Sequence, residues 1–228
     1  MSFPASLKAV VFDLDGTLLD TAPEFVEVVQ ALRAEHDLGP LPVDAIRAVV
    51  SDGARAMVSL ALDITQDDPV FEDRRQRFLD IYATDLGRST ALFPGLGSLL
   101  DELGTAGIAW GISTNKPSYL TEPLLARLAL EPEPVSVVCP DHVNNPKPDP
   151  EPLLLNCSQL GCEPQEVIYV GDHLRDIEAG RAAGMYTIAA AYGYIHADDD
   201  VMAWGADAVA HRGEDIRPLI DAAFQEHS

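Results

Sequence analysis

The feature that constrains this chain most is the segment Val10–Asp20, where an apolar run ends in two carboxylates. Residues 10–12 are Val-Val-Phe, Asp13 and Asp15 follow with one leucine between them, and Gly16 comes next. A continuous apolar run is typical of a strand buried on both faces, and the carboxyl end of such a strand would open into an acidic site. The alternative is a solvated acidic turn, because Asp-x-Asp occurs in many turns.

Length and composition indicate a globular protein with one large domain or two small ones. The chain has 228 residues, of which 47% are hydrophobic, enough for a buried core. It contains no apolar run of about 18 residues, so we expect no membrane partner. The N-terminus lacks a secretory signal, and the cysteines have no metal-like spacing, so they are typical of reduced thiols. We therefore expect a cytoplasmic protein.

The net charge of −22 argues against nucleic acid as a partner, because phosphate backbones are bound by many Lys and Arg residues. The same charge repels small anions, so a phosphate site in this chain must create positive charge locally. Lysine is scarce: the three lysines are Lys8, Lys116 and Lys147, and the last two lie in motifs described below.

Residues 21–88 show helical periodicity and no strand pattern. Thr21-Ala22-Pro23-Glu24 predicts a capping box with proline in the first turn. We expect this segment to form a small all-helical domain, inserted into a core of residues 1–20 and 89–228. The expected helices run from Thr21 to about residue 39, over 43–63 with a break near 51–53, and over 70–87.

Strands and helices alternate from Leu92 onward. The continuous apolar strands predict a parallel sheet covered on both faces by helices, a Rossmann-like α/β fold. Ligands of such sheets lie at the carboxyl ends of the strands. The expected strands are 7–12, 108–113, 135–138, 166–170, 186–191 and 207–210, and the expected helices are 96–105, 118–129, 150–160, 174–183 and the C-terminal segment.

Two expected strands are followed by polar residues that suit an anionic ligand. Thr114, Asn115 and Lys116 follow strand 108–113, and a hydroxyl, an amide and an ammonium can hold the oxygens of a phosphoryl group. After strand 135–138, Lys147 lies among prolines that stiffen the backbone and fix its positive charge. The alternatives are a polar turn that caps the next helix and a proline-rich linker.

The segment after strand 166–170 contains Asp172 and Asp176, four residues apart. This spacing predicts that both carboxylates lie on one face of the helix that begins there. Such a pair suits Mg²⁺, which takes oxygen ligands and keeps several waters. Ordinary helix capping by Asp172 is the alternative.

Together these four segments resemble the signature motifs of the haloacid dehalogenase superfamily. Residues 13–18, Asp-Leu-Asp-Gly-Thr-Leu, resemble its nucleophile motif DxDGTL, and the order of the motifs matches from about residue 10 to residue 190. The helical segment that follows the first motif resembles the type I cap of that superfamily. The resemblance implies a Mg²⁺-dependent enzyme that forms an aspartyl-phosphate.

The resemblance also implies a role for each motif residue in catalysis. Asp13 would attack phosphorus, and Asp15 would protonate the leaving alkoxide and then activate water. Lys147 would neutralise the nucleophile and the transferring group. Thr114 and Asn115 would bind phosphoryl oxygens.

The implied metal site consists of Asp13, the backbone carbonyl of Asp15, and Asp172, with Asp176 supporting it directly or through water. Simple electrostatics agree with the need for a metal, since two like charges 4 Å apart repel by about 4 kcal/mol at an effective dielectric constant of 20. Several carboxylates and a phosphate dianion therefore need compensation, which Mg²⁺ and Lys147 would provide.

Two other chemistries of the superfamily fit the sequence less well. Its dehalogenases lack an acid at the position that Asp15 matches and need no metal. Its phosphonate-cleaving members use a lysine of the cap, and residues 21–90 contain no lysine. The sequence therefore favours a phosphatase, a phosphoric monoester hydrolase.

The cap is expected to select the substrate through residues 51–55, Ser-Asp-Gly-Ala-Arg, at the break between its helices. Ser51 and Arg55 are the candidates for specificity, because Arg55 could reach a carboxylate or a sugar hydroxyl. The alternative for Arg55 is a surface arginine on a capped helix.

Five stretches resemble a narrower group, the bacterial N-acetylmuramic acid 6-phosphate phosphatases, which share motifs with phosphoglycolate phosphatases. Two residues depart from the pattern of that group: Asp52 replaces a glycine, and His173 replaces an acidic residue. The stretches are 51–57 (SDGARAM), 139–155 (CPDHVNNPKPDPEPLLL), 171–177 (GDHLRDI), 192–195 (YGYI) and 204–207 (WGAD).

This narrower resemblance implies N-acetylmuramic acid 6-phosphate as the substrate, a step of peptidoglycan recycling and carbohydrate metabolism. 2-Phosphoglycolate is the alternative substrate. A phosphomutase and an inactive phospho-ligand-binding module are alternatives of another class. We expect the protein to be a monomer or homodimer, and we expect its partner to be a small phosphorylated metabolite.

Overall fold

The computed structural model describes residues 3–223 of the chain. Within them, six strands form one sheet and two short strands form another. The strands are β1 (Ala9–Phe12), β2 (Leu19–Asp20), β3 (Ala91–Leu92), β4 (Ala109–Ser113), β5 (Ser136–Val138), β6 (Val167–Gly171), β7 (Tyr186–Ala190) and β8 (Ala208–Ala210).

The large sheet has the strand order β5-β4-β1-β6-β7-β8, and all of its neighbouring strands are parallel. Helices connect the strands and flank the sheet, as parallel strands require. The predicted Rossmann-like α/β fold is confirmed, and each of the six predicted strands of the core is present within two residues of its predicted ends.

Strand β1 lies in the middle of the sheet and is fully buried on both faces. Val10 and Phe12 face the larger hydrophobic cluster, where the Phe12 ring meets the edge of Trp110 with 6.4 Å between ring centroids. Ala9 and Val11 face the second cluster, on the other side. Covered on both faces, the strand can present a polar group only at its end, where Asp13 follows.

The segment between β2 and β3 is helical throughout its regular structure and contains the first four α-helices of the chain. Its ends are adjacent because β2 and β3 pair in antiparallel fashion, with Leu19 opposite Leu92. The division into a helical domain of residues 21–88 and a core remains our proposal. The helices are α1 (Ala22–Ala34), α2 (Val43–Arg47), α3 (Gly53–Leu62), α4 (Phe71–Thr84), α5 (Leu96–Ala106), α6 (Ser118–Leu128), α7 (Glu151–Leu160), α8 (Leu174–Ala183) and α9 (Ile216–Ala223).

Aromatic side chains pack α1 against α4. The ring of Phe25 stacks on Tyr82 with 4.6 Å between centroids, and on Phe78 with 6.3 Å. All three side chains are buried, and full burial of one such side chain contributes about 1.5–3 kcal/mol. This packing forms an aromatic surface of the helical segment next to the sheet.

The predicted capping box at the start of α1 is wrong. Thr21 has a helical backbone conformation instead of the extended one that a capping side chain needs, and its hydroxyl makes no capping hydrogen bond. Glu24 instead accepts a hydrogen bond from the backbone N–H of Ser89, across to the end of the segment. Helix α1 also ends at Ala34, earlier than predicted, and Asp37 then adopts a left-handed conformation.

None of the helices in the described part of the chain is long and apolar enough to cross a membrane.

Candidate active site

The register of the central strands brings three chain segments to one edge of the sheet. Phe12 is paired with Ile112 of β4 on one side and Val170 of β6 on the other. The next residue, Asp13, donates its backbone N–H to the carbonyl of Val170 over 2.8 Å. Asp13 therefore lies beside the segments that follow β4 and β6, as the parallel sheet predicted.

Lys147 places a buried ammonium at this edge. Its Nζ lies 2.8 Å from Asp13 Oδ1, 2.7 Å from Asp176 Oδ1, 2.7 Å from the carbonyl of Ser113 and 2.8 Å from the hydroxyl of Tyr169. An ammonium has three N–H donors, so these four oxygens share them. Burial alone would lower the pKa of Lys147, but Asp13 and Asp176 outweigh it and hold the pKa above its ordinary value. Lys147 is therefore a fixed positive charge.

Asp13, Asp172 and Asp176 form a buried acidic group, with one ligand oxygen from each residue within 4.8 Å of the others. Among the described residues, the carboxylate of Asp15 is not part of this group. Three carboxylates this close repel one another unless a cation joins them. The group could bind a metal ion through oxygen atoms.

Burial disturbs the protonation of these carboxyl groups. It raises the pKa of Asp13 from 3.8 to about 6, although the ammonium of Lys147 opposes the rise. It raises the pKa of Asp172 to about 8, and the charges of Asp13 and Asp176 add to the effect. Both carboxyl groups are therefore costly to ionise, even with Lys147 beside Asp13.

The predicted arrangement of Asp172 and Asp176 on one helix face is wrong, although both reach the same group. Helix α8 begins at Leu174, so Asp172 lies before it, directly after β6. Asp176 lies in the first turn, and its Oδ2 accepts the backbone N–H of His173. His173, and not Asp172, is the capping residue, since its Nδ1 accepts the backbone N–H of Arg175.

The surroundings of Asp172 are closely packed. Thr17 Oγ1 and the backbone N–H of Tyr194 donate to its two carboxylate oxygens over 3.2 and 2.9 Å. Gly16 has a φ of +86°, and a Cβ at this position would lie 2.1 Å from Asp172 Oδ2. Only glycine allows both this conformation and this approach. Gly16 thereby lets the loop after Asp15 reach the acidic group.

Asp15 forms a different contact from the other aspartates. Lys116 Nζ lies 3.1 Å from its Oδ1 and 3.3 Å from its Oδ2, and also 2.6 Å from the hydroxyl of Tyr82. The Asp15 carboxylate is therefore held on the side of α6 and α4. Lys116 was expected only as part of a polar motif beside Thr114 and Asn115.

Thr114 and Asn115 follow β4 and line the same cavity as Asp13. Thr114 Oγ1 accepts the backbone N–H of Lys116 over 3.0 Å, and Asn115 Nδ2 donates to the carbonyl of Lys147 over 3.0 Å. The structure thus brings both predicted phosphate-binding residues to the site. Asn115 also holds the Lys147 loop against the sheet.

Ser51 of the helical segment contacts the acidic group, and Asp52 contacts two histidines. Ser51 Oγ donates to Asp172 Oδ2 over 3.1 Å, and Arg175 donates to the Ser51 carbonyl. Asp52 lies 2.9 Å from His196 Nε2 and 3.9 Å from His173 Nε2. The two residues that depart from the pattern of the narrower group, Asp52 and His173, therefore face each other.

A cavity of about 310 Å³ lies between the sheet edge and the helical segment. Arg75 and Arg175 line it, whereas the predicted specificity residue Arg55 is not among its lining residues. The guanidinium of Arg55 lies 2.7 Å from Glu72, which also accepts from Arg75. The lining residues are Asp13, Asp15, Phe25, Val50, Ser51, Asp52, Gly53, Ala54, Met57, Arg75, Phe78, Leu79, Tyr82, Thr114, Asn115, Lys116, Pro117, Tyr119, Leu120, Lys147 and Arg175.

Sequence reasoning missed several residues of this site. Arg75 carries no local motif, and its place in the cavity depends on how α4 packs. Tyr82 lies in the helix expected over residues 70–87, and periodicity did not indicate that its hydroxyl reaches the site. Lys116 did carry a signal, because lysine is scarce in the chain and this one follows a strand.

Comparison with known proteins supports the fold and the family. The family model described as haloacid dehalogenase-like hydrolase matches residues 10–190. A Pseudomonas aeruginosa protein named N-acetylmuramic acid 6-phosphate phosphatase is 48% identical over 218 residues, 96% of either chain. A Xanthomonas campestris pv. campestris protein named phosphoglycolate phosphatase is 40% identical over 212 residues, 93% of this chain and 94% of the relative.

A solved structure with the same fold is that of a predicted phosphoglycolate phosphatase from Haemophilus somnus 129PT. It matches with a TM-score of 0.82 and 22% identity, over 94% of this chain and 98% of the other. An identity this low shows the fold alone. The family model and the two relatives together confirm the predicted superfamily and the predicted enzyme class, a phosphatase. The chain belongs to the haloacid dehalogenase-like hydrolases.

Proposed function

We propose that this protein hydrolyses a small phosphate monoester with the help of Mg²⁺, through an aspartyl-phosphate on Asp13. The observation that carries the proposal is the contact of one buried ammonium, Lys147, with Asp13 and Asp176, next to Asp172. A carboxylate that attacks an anionic phosphate needs positive charge beside it. The edge of the sheet supplies this charge and the nucleophile together.

The acidic group fits Mg²⁺. Mg²⁺ binds one or two carboxylates and substrate phosphate, and it keeps several waters. Burial raises the pKa values of Asp13 and Asp172, so their ionised forms are costly, and a divalent cation would stabilise these ionised forms. Asp13, Asp172 and the backbone carbonyl of Asp15 would hold the ion, with Asp176 acting directly or through water. When bound, Mg²⁺ would neutralise charge on the phosphoryl oxygens.

In the first step, an oxygen of Asp13 forms a bond to phosphorus while the bond from phosphorus to the ester oxygen breaks. Lys147 orients Asp13 by binding its Oδ1 at 2.8 Å. Thr114 and Asn115 hold phosphoryl oxygens. Asp15 gives its proton to the departing oxygen, so that an alcohol leaves instead of an alkoxide.

In the second step, Asp15 takes a proton from water while the water oxygen attacks phosphorus. The bond between phosphorus and Asp13 breaks, and inorganic phosphate forms. Phe25, Phe78 and Tyr82 line the opposite wall of the cavity and limit the access of other water. The helical segment thereby favours transfer to one positioned water.

The substrate that we propose is N-acetylmuramic acid 6-phosphate, which the chain would process in peptidoglycan recycling. The name of the Pseudomonas aeruginosa relative supports this choice. The chemistry of the cavity supports it too, because Met57 and Phe78 offer apolar surface for the acetyl group and Arg75 offers a guanidinium for the lactyl carboxylate. A volume of about 310 Å³ lies at the low end of the range for small-molecule sites.

2-Phosphoglycolate is the second candidate, supported by the name of the Xanthomonas relative. It also carries a carboxylate, but it has no group for the apolar wall of the cavity. A phosphomutase would share the aspartyl-phosphate and return the phosphoryl group to a sugar instead of water. An inactive binding module would bind the same ligands without releasing phosphate.

The cellular setting is also a proposal. The three cysteines, Cys139, Cys157 and Cys162, are free thiols, which fits a reducing cytoplasm. We propose a cytoplasmic monomer or homodimer that takes a small phosphorylated metabolite and no nucleic acid or membrane partner.

Release of inorganic phosphate tests these alternatives. We expect rapid release from N-acetylmuramic acid 6-phosphate, slower release from 2-phosphoglycolate, no release in EDTA, and recovery after addition of Mg²⁺. Preference for 2-phosphoglycolate would reverse the order of the two substrates. Binding without release from any phosphate ester would sink the enzymatic proposal, and transfer of phosphate to a second sugar would indicate the mutase.

A further inference from the structure

Lys116 is a buried cationic residue that has no role in the reaction proposed above. Its side chain is 5% exposed, and its Nζ donates to both carboxylate oxygens of Asp15, at 3.1 and 3.3 Å. It also donates to the hydroxyl of Tyr82 at 2.6 Å. The same Nζ lies 4.6 Å from the centroid of the Tyr82 ring and 5.1 Å from that of Phe25.

These contacts join the two parts of the molecule. Lys116 follows β4 of the sheet, whereas Phe25 and Tyr82 belong to α1 and α4 of the helical segment. One ammonium therefore bonds to Asp15 on one side and meets two aromatic rings on the other. Since both oxygens of Asp15 lie within bonding distance of Nζ, the contact fixes the rotation of this carboxylate.

Burial of the Lys116 ammonium costs free energy, and this cost argues that its contacts serve a function. A buried ammonium is unfavourable unless charges and hydrogen bonds compensate it. Burial alone would lower the pKa of Lys116, but Asp15 and Tyr82 outweigh it and raise the pKa above its ordinary value. Lys116 therefore stays charged. Burial also raises the pKa of Tyr82 to about 12, so its hydroxyl stays protonated.

We propose that Tyr82 and Lys116 are positioning residues that hold Asp15 in the place from which it protonates the leaving group. The inference rests on the proposed role of Asp15 as the general acid. In that step the proton passes from Asp15 to the ester oxygen as the bond to phosphorus breaks, and negative charge develops on Asp15 beside the ammonium. Because Tyr82 lies on α4, the acid is correctly held only while the helical segment is docked on the sheet.

This role has a consequence that simple binding of phosphate by Lys116 would not have. A sugar alkoxide is a poor leaving group and needs the proton, whereas p-nitrophenolate leaves without one. Loss of correct positioning should therefore slow the cleavage of an alkyl phosphate and spare that of p-nitrophenyl phosphate. Loss of a phosphate contact would slow both equally.

The test is Tyr82→Phe, which removes only the hydroxyl and keeps the ring under Lys116. The measurement is kcat/KM, which covers the steps up to the first transfer, for N-acetylmuramic acid 6-phosphate and for p-nitrophenyl phosphate. We expect a roughly tenfold loss on the sugar phosphate and less than about a twofold loss on p-nitrophenyl phosphate. Lys116→Met should give the same selectivity with a roughly hundredfold loss.

Tyr194→Phe is the matched control. It also removes a buried tyrosine hydroxyl, one that donates to Asp20 and accepts the N–H of Ala22 where the helical segment begins, and that touches neither Asp15 nor Lys116. We expect it to leave the ratio of the two kcat/KM values unchanged. Thermal unfolding of each variant reports whether it is folded.

The outcomes separate this inference from the proposed function. Equal losses on both substrates for Tyr82→Phe, or no loss on either, would overturn the positioning role while wild-type turnover upholds the phosphatase. A wild-type protein that releases phosphate from neither substrate would overturn the proposed function, and the positioning role with it.

Discussion

Lys147 Nζ lies 2.7 Å from Asp176 Oδ1, and the side chains of both residues are almost completely buried. The same ammonium bonds to Asp13, so one positive charge serves two carboxylates. A third carboxylate, Asp172, completes the group. The positive charge of Lys147 therefore matters both for the stability of the protein and for the proposed catalysis.

Replacement of Lys147 by methionine should destabilise the protein and remove its activity. The change leaves Asp13 and Asp176 buried without their common partner, and loss of one member of a buried pair costs about 3–5 kcal/mol. We expect a loss of roughly 3 kcal/mol in the free energy of unfolding in EDTA, measured by urea denaturation. Turnover should fall to background, because the nucleophile loses its cation.

Lys8→Met is the control for this change, because Lys8 is exposed and lies at the other end of the sheet. It removes the same charge from the chain and should shift the free energy of unfolding by less than about 0.5 kcal/mol. Equal effects of the two substitutions would show that net charge, and not the buried contact, sets the stability.

The metal-free protein should become less stable as the pH rises from about 4 to about 8. Burial raises the folded-state pKa values of Asp13 and Asp172 from 3.8 to about 6 and about 8, so the folded chain binds more protons than the unfolded chain in this range. The free energy of unfolding then falls with pH, by an amount on the order of a few kcal/mol, and the loss is complete above the folded-state pKa of Asp172. Mg²⁺ should restore stability most strongly at the alkaline end.

Urea denaturation at several pH values, in EDTA and in Mg²⁺, measures this dependence. Asp172→Asn removes the group with the larger shift, so its stability in EDTA should depend less on pH between about 6 and 8. Stability of the metal-free wild type that rises across this range would contradict the burial of these carboxyl groups.

Gly16→Ala should inactivate the protein. The added Cβ would lie 2.1 Å from Asp172 Oδ2, so the loop after Asp15 must move away from the acidic group. We expect a loss of kcat of at least roughly a hundredfold, since displacement of a catalytic geometry by about 1 Å has that effect.

Gly161→Ala separates backbone strain from this clash. Gly161 also has a positive φ, at +67°, but a Cβ there would meet nothing within 4 Å. It should cost about 1–2 kcal/mol of stability and leave kcat unchanged. A Gly16→Ala variant with normal kcat would show that the loop tolerates the displacement.

Arg75→Ala should reduce the preference for a substrate with a carboxylate. Arg75 lines the cavity and pairs with Glu72, and we propose that its guanidinium binds the lactyl carboxylate. We expect kcat/KM to fall roughly tenfold for N-acetylmuramic acid 6-phosphate, equivalent to about 1.4 kcal/mol, with little change for N-acetylglucosamine 6-phosphate. The two sugars differ in the lactyl group, so their ratio isolates this contact.

Arg55→Ala is the matched control, because Arg55 pairs with the same glutamate and is not a lining residue of the cavity. It should change the ratio by less than about twofold. A larger effect for Arg55 than for Arg75 would restore the specificity role that the sequence predicted for Arg55.

The positions of the strand-end residues could be predicted from the sequence because a parallel sheet brings the carboxyl ends of its strands together. Asp13 and Asp172 each follow a buried apolar strand, and pairing of the strands brings these ends together without further information. Lys147 lies in the connection between β5 and α7, so strand pairing alone does not place it, and its flanking prolines were the signal in the sequence.

Contacts between the helical segment and the sheet were not predictable in this way. The cavity position of Arg75 and the exposure of Arg55 depend on how α3 and α4 pack, which periodicity does not specify. The hydrogen bond that Lys116 donates to Tyr82 joins residues 34 positions apart, one after a strand of the sheet and one on a helix of the inserted segment. Thr21 fits the pattern of a capping box, yet its side chain makes no capping bond because its backbone is helical.

We propose that Asp13 is the nucleophile, and phosphate release by Asp13→Asn is the decisive measurement of this role. The amide keeps the shape of the side chain but cannot attack phosphorus as a carboxylate does. Wild type and variant are compared with N-acetylmuramic acid 6-phosphate and Mg²⁺, after circular dichroism has shown that both are folded. We expect kcat of the variant to fall to background; turnover close to that of the wild type would remove Asp13 from the nucleophile role.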